Sequence, residues 1–214
     1  MILQVVFDLD DTLIRSDQIF PKFINFLGGS DNLGLFVGSL TGQSYHEIFD
    51  AIAGQESKQI AQEFMDRYLN WYDSVGWKLH RPFPGTLELL TSIQNYSGRK
   101  ILIVTNKRTV AAERIVKSIF PGLKTEVIGV NSDNHIGKGV HLNRLRGNFT
   151  RERLYNLIYV GDSLEDREHA LESGFDFVGA CWKVRPESFP EGTKCFSSVQ
   201  SLSDWVFQQS HISL

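Results

Sequence analysis

Ile2-Leu3-Gln4-Val5-Val6-Phe7-Asp8-Leu9-Asp10-Asp11-Thr12-Leu13 is an apolar run that ends in three carboxylates within four residues. The run is nearly continuous rather than alternating, which predicts a strand covered on both faces, as in a parallel sheet flanked by helices. A cluster of carboxylates directly after a buried strand is costly, because burial and mutual repulsion both oppose ionisation. One aspartate could simply cap a turn or a following helix. Three crowded together point to a shared cation, and hard oxygen ligands with no His or Cys nearby favour Mg²⁺.

Similar apolar runs recur along the chain. Strands are predicted at Lys100–Thr105, Thr125–Val130, Leu157–Gly161 and Asp176–Ala180, besides Ile2–Phe7, with helices at Thr86–Tyr96, Thr109–Phe120 and Ser163–Ser173. Gly174 is placed to end the last of these. Alternating strands and helices predict an α/β fold, a doubly wound, Rossmann-like parallel sheet.

Residues 17–80 break the alternation and read as helices, which predicts a small α-helical cap inserted after the first strand. Residues 1–16 and 81–214 then form the core. Tyr45, Ile48, Phe49 and Ile52 follow helical spacing, with Ser44 and Glu47 as a capping box; Ile60, Phe64, Tyr68, Trp71 and Val75 make a second stripe. Gly28, Gly29, Gly42 and Gly54 punctuate the joins. The many aromatics are expected to be the core of this bundle rather than a ligand cage. Lys22, His46, Lys58 and Arg67 are the cap residues that could reach a substrate, although each is ordinarily a solvated helix residue.

Open parallel sheets bind ligands beyond the carboxyl ends of their strands, so those ends decide function. One ends in Gly161-Asp162-Ser163-Leu164-Glu165-Asp166, where Ser163 and Asp166 also fit an ordinary helix start. Another ends in Val104-Thr105-Asn106-Lys107, whose hydroxyl and amides could hold phosphate oxygens. Lys138, between Gly137 and Gly139, could bring a positive charge to the same edge. Only the first acidic motif is informative alone; the order of all four along successive strand ends is what makes them a set.

Together these motifs resemble the signatures of the haloacid dehalogenase-like hydrolases. Asp8 to Leu13 is similar to the first signature, Thr105-Asn106 to the second, and Gly161-Asp162-Ser163-x-x-Asp166 to the fourth; Lys138, or else Lys124, stands for the third. The stretch from Pro84-Gly85-Thr86 to Lys107 is similar to the cap-to-core return of the phosphoglycolate phosphatase-like branch. The resemblance covers nearly the whole chain. It implies a Mg²⁺-dependent phosphatase acting on a small phosphorylated metabolite. In that family pattern Asp8 is the nucleophile that becomes an aspartyl-phosphate, and Asp10 is the general acid and base. Asp8, Asp162 and the backbone carbonyl of Asp10 hold the metal, with Thr12 and Asp166 behind them; Thr105, Asn106 and Lys138 bind the phosphoryl group. Two departures stand out. Lys138 is followed by Gly139-Val140-His141, where that branch often has Lys-Pro-x-Pro, and Ile14-Arg15-Ser16-Asp17 is unlike its usual continuation. Phosphoglycolate is therefore one candidate substrate among several.

The rival readings are a sugar phosphomutase (β-phosphoglucomutase-like) with the same motifs, and a catalytically silent binding protein on the same fold. A receiver-type signalling domain would place its phosphoacceptor after the third strand and have no long insert. No Gly-x-Gly-x-x-Gly follows the first strand, against a nicotinamide-dependent dehydrogenase. The net charge is −3, with 42% hydrophobic and 22% charged residues, which argues against a nucleic-acid or membrane partner through bulk electrostatics. The two cysteines, Cys181 and Cys195, suit reduced thiols, and a strand beginning at the second residue leaves no room for a secretory leader. A cytoplasmic protein is expected; the sequence sets no oligomeric state.

Overall fold

A computed structural model describes residues 2–27, 45–130, 137–149 and 155–211. The chain divides into two compact units, Met1–Arg15 with Pro82–Leu214, and Ser16–Arg81. The expected capping box at Ser44 and Glu47, the side chain of His46, and the joins at Gly28, Gly29 and Gly42 lie outside the described residues.

In the first unit, β1 (Ile2–Phe7), β4 (Ile101–Arg108), β5 (Thr125–Val130), β6 (Tyr155–Gly161), β7 (Asp176–Ala180) and β8 (Cys195–Phe196) form one sheet in the order β5-β4-β1-β6-β7-β8. Every pairing in it is parallel. The strand of the opening motif is central: Val6 lies beside Leu102 of β4 and Tyr159 of β6. This explains its unbroken apolar character, because Val5, Val6 and Phe7 alternate between the faces and all are buried. On one face, α6 (Lys138–Phe149) and α7 (Leu164–Glu172) contribute Leu142, Leu145 and Ala170 to a core with Val6, Leu102, Val104 and Tyr159. The Tyr159 hydroxyl, buried in that core, donates to the Val104 carbonyl at 2.8 Å. Elsewhere α4 (Thr86–Ser97) packs on α8 (Val199–His211), and α5 (Thr109–Ile119) covers β4 and β5. Gly174, with φ +70°, follows the end of α7 as expected of a C-terminal glycine.

Helix α6 was not expected, since Lys138 between two glycines reads as loop. The helix begins at Lys138 itself, and its buried face is carried by Lys138, His141, Leu142 and Leu145. A short chain of buried residues with two glycines and a polar majority gives little periodic signal. β8 and α8 also escaped the sequence reading; β8 has two residues, below the length at which a strand pattern shows.

The second unit holds α1 (Ile19–Phe26), α2 (Tyr45–Gln55) and α3 (Lys58–Ser74), the last capped by Ser57, whose hydroxyl accepts the Ile60 N–H at 3.2 Å. Phe23 is fully buried among Phe64, Tyr68 and Trp71, with ring centroids 5.4, 5.2 and 5.3 Å away. The expected α3 stripe is rotated: Ala61, Phe64, Met65, Trp71 and Tyr72 are buried, whereas Ile60 and Val75 are 36% and 44% exposed. The buried face follows the i, i+3, i+4 positions around Phe64, and the two outer apolar residues fall beyond it. Lys22, Lys58 and Arg67 are exposed. Ile14–Arg15 (β2) and Arg81–Pro82 (β3) pair as a separate ribbon where the chain leaves and re-enters the first unit. No helix among the described residues is long and apolar enough to cross a membrane.

Candidate active site

The sheet ladder continues one residue past β1, as the Asp8 N–H donates to the Val160 carbonyl at 2.8 Å. The chain then curls back on itself. Leu13 and Ile14 both donate to the Leu9 carbonyl, at 2.9 and 3.1 Å, and Asp11 donates to Ile14 at 2.7 Å. Asp11 adopts φ +57°, a left-handed conformation that Asp tolerates better than most residues. This tight loop holds Asp8, Asp10 and Asp11 at the carboxyl edge of the sheet's centre.

Each of these aspartates meets a lysine from another element of the sheet's carboxyl edge. Lys138 Nζ lies 2.9 Å from Asp8 Oδ1 and also contacts Asp166. Lys107 Nζ is 3.1 Å from Asp10 Oδ2, and Lys183, just past β7, pairs with Asp11. Lys107 and Lys183 were missed as site residues. Their signal was positional: Lys107 continues the Thr105-Asn106 motif, and Lys183 follows a strand end that carried no acidic residue to draw notice.

Asp166 serves the fold and the site together. Ser163 and Asp166 form the capping box at the start of α7. The Asp166 Oδ2 accepts from the Ser163 hydroxyl at 2.8 Å and from the Asp162 and Ser163 N–H groups at 3.2 Å. Its other oxygen faces Lys138. Capping thus accounts for half of its carboxylate, and the buried lysine for the rest.

Asp8, Asp162 and Asp166 can each offer an oxygen within 4.8 Å of the others. The Asp10 carboxylate turns instead towards Lys107, although its Oδ1 and the Thr12 hydroxyl are buried with no hydrogen-bond partner. Three close carboxylates, with orphaned oxygens beside them, fit a hard divalent cation. Burial pushes the Asp162 carboxyl up to about 7, and repulsion from Asp166 adds to it. Burial likewise raises Asp8, while Lys138 pulls it back. For Lys138 burial acts downwards, yet Asp8 and Asp166 carry the amine above the ordinary lysine value, so at neutral pH the proton rests on the amine.

The remaining expectations divide. Thr105 is buried beside the site, its hydroxyl accepting the Lys107 N–H at 3.2 Å. Asn106 was expected to hold phosphate, but its side chain is engaged otherwise. Its Oδ1 accepts the Lys138 N–H and its Nδ2 donates to Glu165 Oε1, both at 3.1 Å. Lys124 is not at the site: its carbonyl accepts from Ile101, the first residue of β4, so it sits at the opposite, amino edge of the sheet. Cys181 is buried and Cys195 half-buried, both as free thiols, and burial with Cys195 alongside pushes the Cys181 thiol up to about 12.

Residues 5–180 match the family described as haloacid dehalogenase-like hydrolase. Among solved structures, a candidate phosphatase from Clostridium difficile superposes with a TM-score of 0.76 at 24% identity, over 95% of this chain and 97% of that one. A predicted phosphoglycolate phosphatase from Haemophilus somnus gives 0.69 at 20% identity over 96% of both chains. The Mycobacterium tuberculosis protein tyrosine kinase A gives 0.66 at 25% identity, over 95% of this chain and 97% of that one. No curated protein matches the sequence.

Proposed function

The chain belongs to the haloacid dehalogenase-like hydrolase family, and we propose that it is a Mg²⁺-dependent phosphatase that hydrolyses a small phosphomonoester through phosphorylated Asp8. The observation that carries this reading is a buried carboxylate, Asp8, at the end of the central strand, held 2.9 Å from a buried ammonium with two further carboxylates beside it. Such a group is poised to attack, not to stabilise: a buried ion pair contributes little net stability over apolar residues of the same volume.

In the reaction an Asp8 oxygen forms a bond to phosphorus as the bond to the leaving oxygen breaks. Asp10 gives its proton to that leaving oxygen, then takes one from the water that attacks the phosphorus of the aspartyl-phosphate. The water oxygen keeps the phosphoryl group as inorganic phosphate, and Asp8 is released as a carboxylate. Thr105 and Lys138 bind the phosphoryl oxygens, and the fixed charge of Lys138 is already in place before charge develops. Asp8, Asp162 and the Asp10 carbonyl would hold Mg²⁺, with Asp166 and Thr12 behind them, and the ion would supply positive charge against the phosphoryl oxygens.

The substrate class is a small phosphorylated metabolite, and phosphoglycolate belongs in the first panel because a neighbour in fold is named for it. The test is phosphate release from phosphoglycolate, sugar phosphates and nucleotides, with and without Mg²⁺, for the wild type and Asp8→Asn. Release that requires Mg²⁺ and disappears in Asp8→Asn is the expected result. Full activity in Asp8→Asn sinks the mechanism, and isomerisation of a sugar phosphate without net release would replace the phosphatase by a mutase.

A further inference from the structure

Thr105 and Asn106 sit where β4 loses its regular register. Pairing with β5 runs in step from Ile101↔Thr125 to Val104↔Ile128, then shifts before Arg108↔Val130. The neighbouring backbone is packed tightly there: a Cβ on Gly129 would lie 2.3 Å from the Lys107 carbonyl oxygen. Irregularities of this kind re-aim a side chain, and they concentrate next to active sites. Here the side chain concerned is Asn106, and its carboxamide reaches two other elements of the site. Its oxygen takes the N–H of Lys138, and its nitrogen binds Glu165 in the first turn of α7.

The Lys138 N–H needs an outside partner. As the first residue of α6, it has no acceptor within its own helix. The side chain of this same residue runs inward to Asp8 and Asp166. Its backbone position therefore decides where the ammonium lies relative to Asp8. The opposite side of this turn is held by the Ser173 hydroxyl, which donates to the Gly139 carbonyl at 3.2 Å. That contact ties the turn to the end of α7, while Asn106 ties its backbone to β4.

We propose that Asn106 is a positioning residue: through one carboxamide it fixes the start of α6, and hence Lys138, against β4 and α7. This rests on the phosphatase reading for its consequence in catalysis, though the bracket itself does not depend on that reading. Asn106 acts on the reaction only through Lys138, so its removal matters only while the lysine is present.

A double-mutant cycle tests it, with p-nitrophenyl phosphate and Mg²⁺ as the assay. Asn106→Ala is expected to lower kcat/KM about tenfold in the wild-type background, the loss of one well-placed hydrogen bond. In a Lys138→Met background the same change should cost less than about twofold, because the pair acts as a unit. Equal losses in both backgrounds overturn the proposal. Backbone amide exchange at Lys138, followed by NMR, gives a second readout that needs no activity. Exchange should quicken in Asn106→Ala and return towards the wild-type rate in Asn106→Asp, which keeps the acceptor oxygen. An unchanged rate in Asn106→Ala overturns the bracket outright. If the wild type releases no phosphate, the phosphatase reading fails, and the exchange rates still decide the role of Asn106.

Discussion

Replacing Gly161 by alanine tests how closely the site and the capping of α7 share one set of atoms. A methyl group there would lie 2.6 Å from the Asp166 Cβ and 2.7 Å from its Cγ and Oδ2. Asp166 is 1% exposed, so the carboxylate has no solvent to move into. Relief requires either a shift of the first turn of α7 or rotation of Asp166 away from Ser163, Asp162 and Lys138. Overpacking of this kind costs about 1–3 kcal/mol, and loss of the cap adds about 1 kcal/mol, for a total of about 2–4 kcal/mol. For a chain of this size that lowers Tm by on the order of 10 °C. Gly147→Ala is the internal control, because it lies in α6 with nothing within 4 Å of the new methyl. It should gain up to about 1 kcal/mol from helix propensity alone. Scanning calorimetry on both variants gives opposite signs if the reasoning holds. A Gly161→Ala protein that melts within about 2 °C of the wild type would mean that Asp166 is not confined as described.

Other perturbations reach different parts of the molecule. Because Asp162 ionises only near pH 7 without metal, Mg²⁺ should bind about tenfold more weakly at pH 6 than at pH 8, as the ionised fraction falls from about nine-tenths to about one-tenth; calorimetric titration showing a flat affinity would refute it. The sign for stability is opposite. The folded pKa is raised, so the folded metal-free protein holds the extra proton, and its stability falls as pH rises from the ordinary carboxylate value towards 7; equilibrium urea unfolding at pH 5 and pH 8 reads this directly. In the helical unit, Phe23→Ala should cost about 3–5 kcal/mol, since the ring is fully buried among three other aromatics. A urea midpoint close to that of the wild type would place the core of that unit elsewhere.

The parts of this protein that sequence made legible are those whose signal is local. β1, β5 and β7 begin and end at the expected residues. In β1 and β7 the signal is a run of buried apolar residues, whereas β5, an edge strand with only Gly129 buried, is marked by its Val and Ile residues. Ser163 as a cap and Gly174 as a terminator were readable for the same reason, each depending on one residue's own chemistry. Asp8, Asp162 and Asp166 could be brought to one place once β1 and β6 were taken as neighbours in a parallel sheet. Lys138 was legible as a charge but not as a buried one, because its burial comes from α6 packing across the sheet. Asn106 shows the limit most clearly. Its type and position suggested a ligand for phosphate, whereas its bonds to Lys138 and Glu165 depend on an irregularity in β4 that no spacing in the sequence announces. The lysines opposite Asp10 and Asp11 depend likewise on contacts between distant strand ends.

The central place of β1 has a kinetic consequence. It precedes both of its neighbours in the chain, and these begin only at Ile101 and Tyr155. Non-local parallel pairings of this kind are slow to form, since the loop between them must close before any contact rewards it. The helices of the inserted segment have no such delay, as α2 and α3 follow one another directly and pack together. During synthesis the insert can therefore mature while β1 still waits for its partners. Asp8 precedes Lys138 and Asp162 along the chain, and it meets them only once those later segments have left the ribosome. Assembly of the acidic site is tied to completion of the sheet, and a truncated chain ending before β6 would lack Asp162, Asp166 and the Val160 carbonyl that takes the Asp8 N–H.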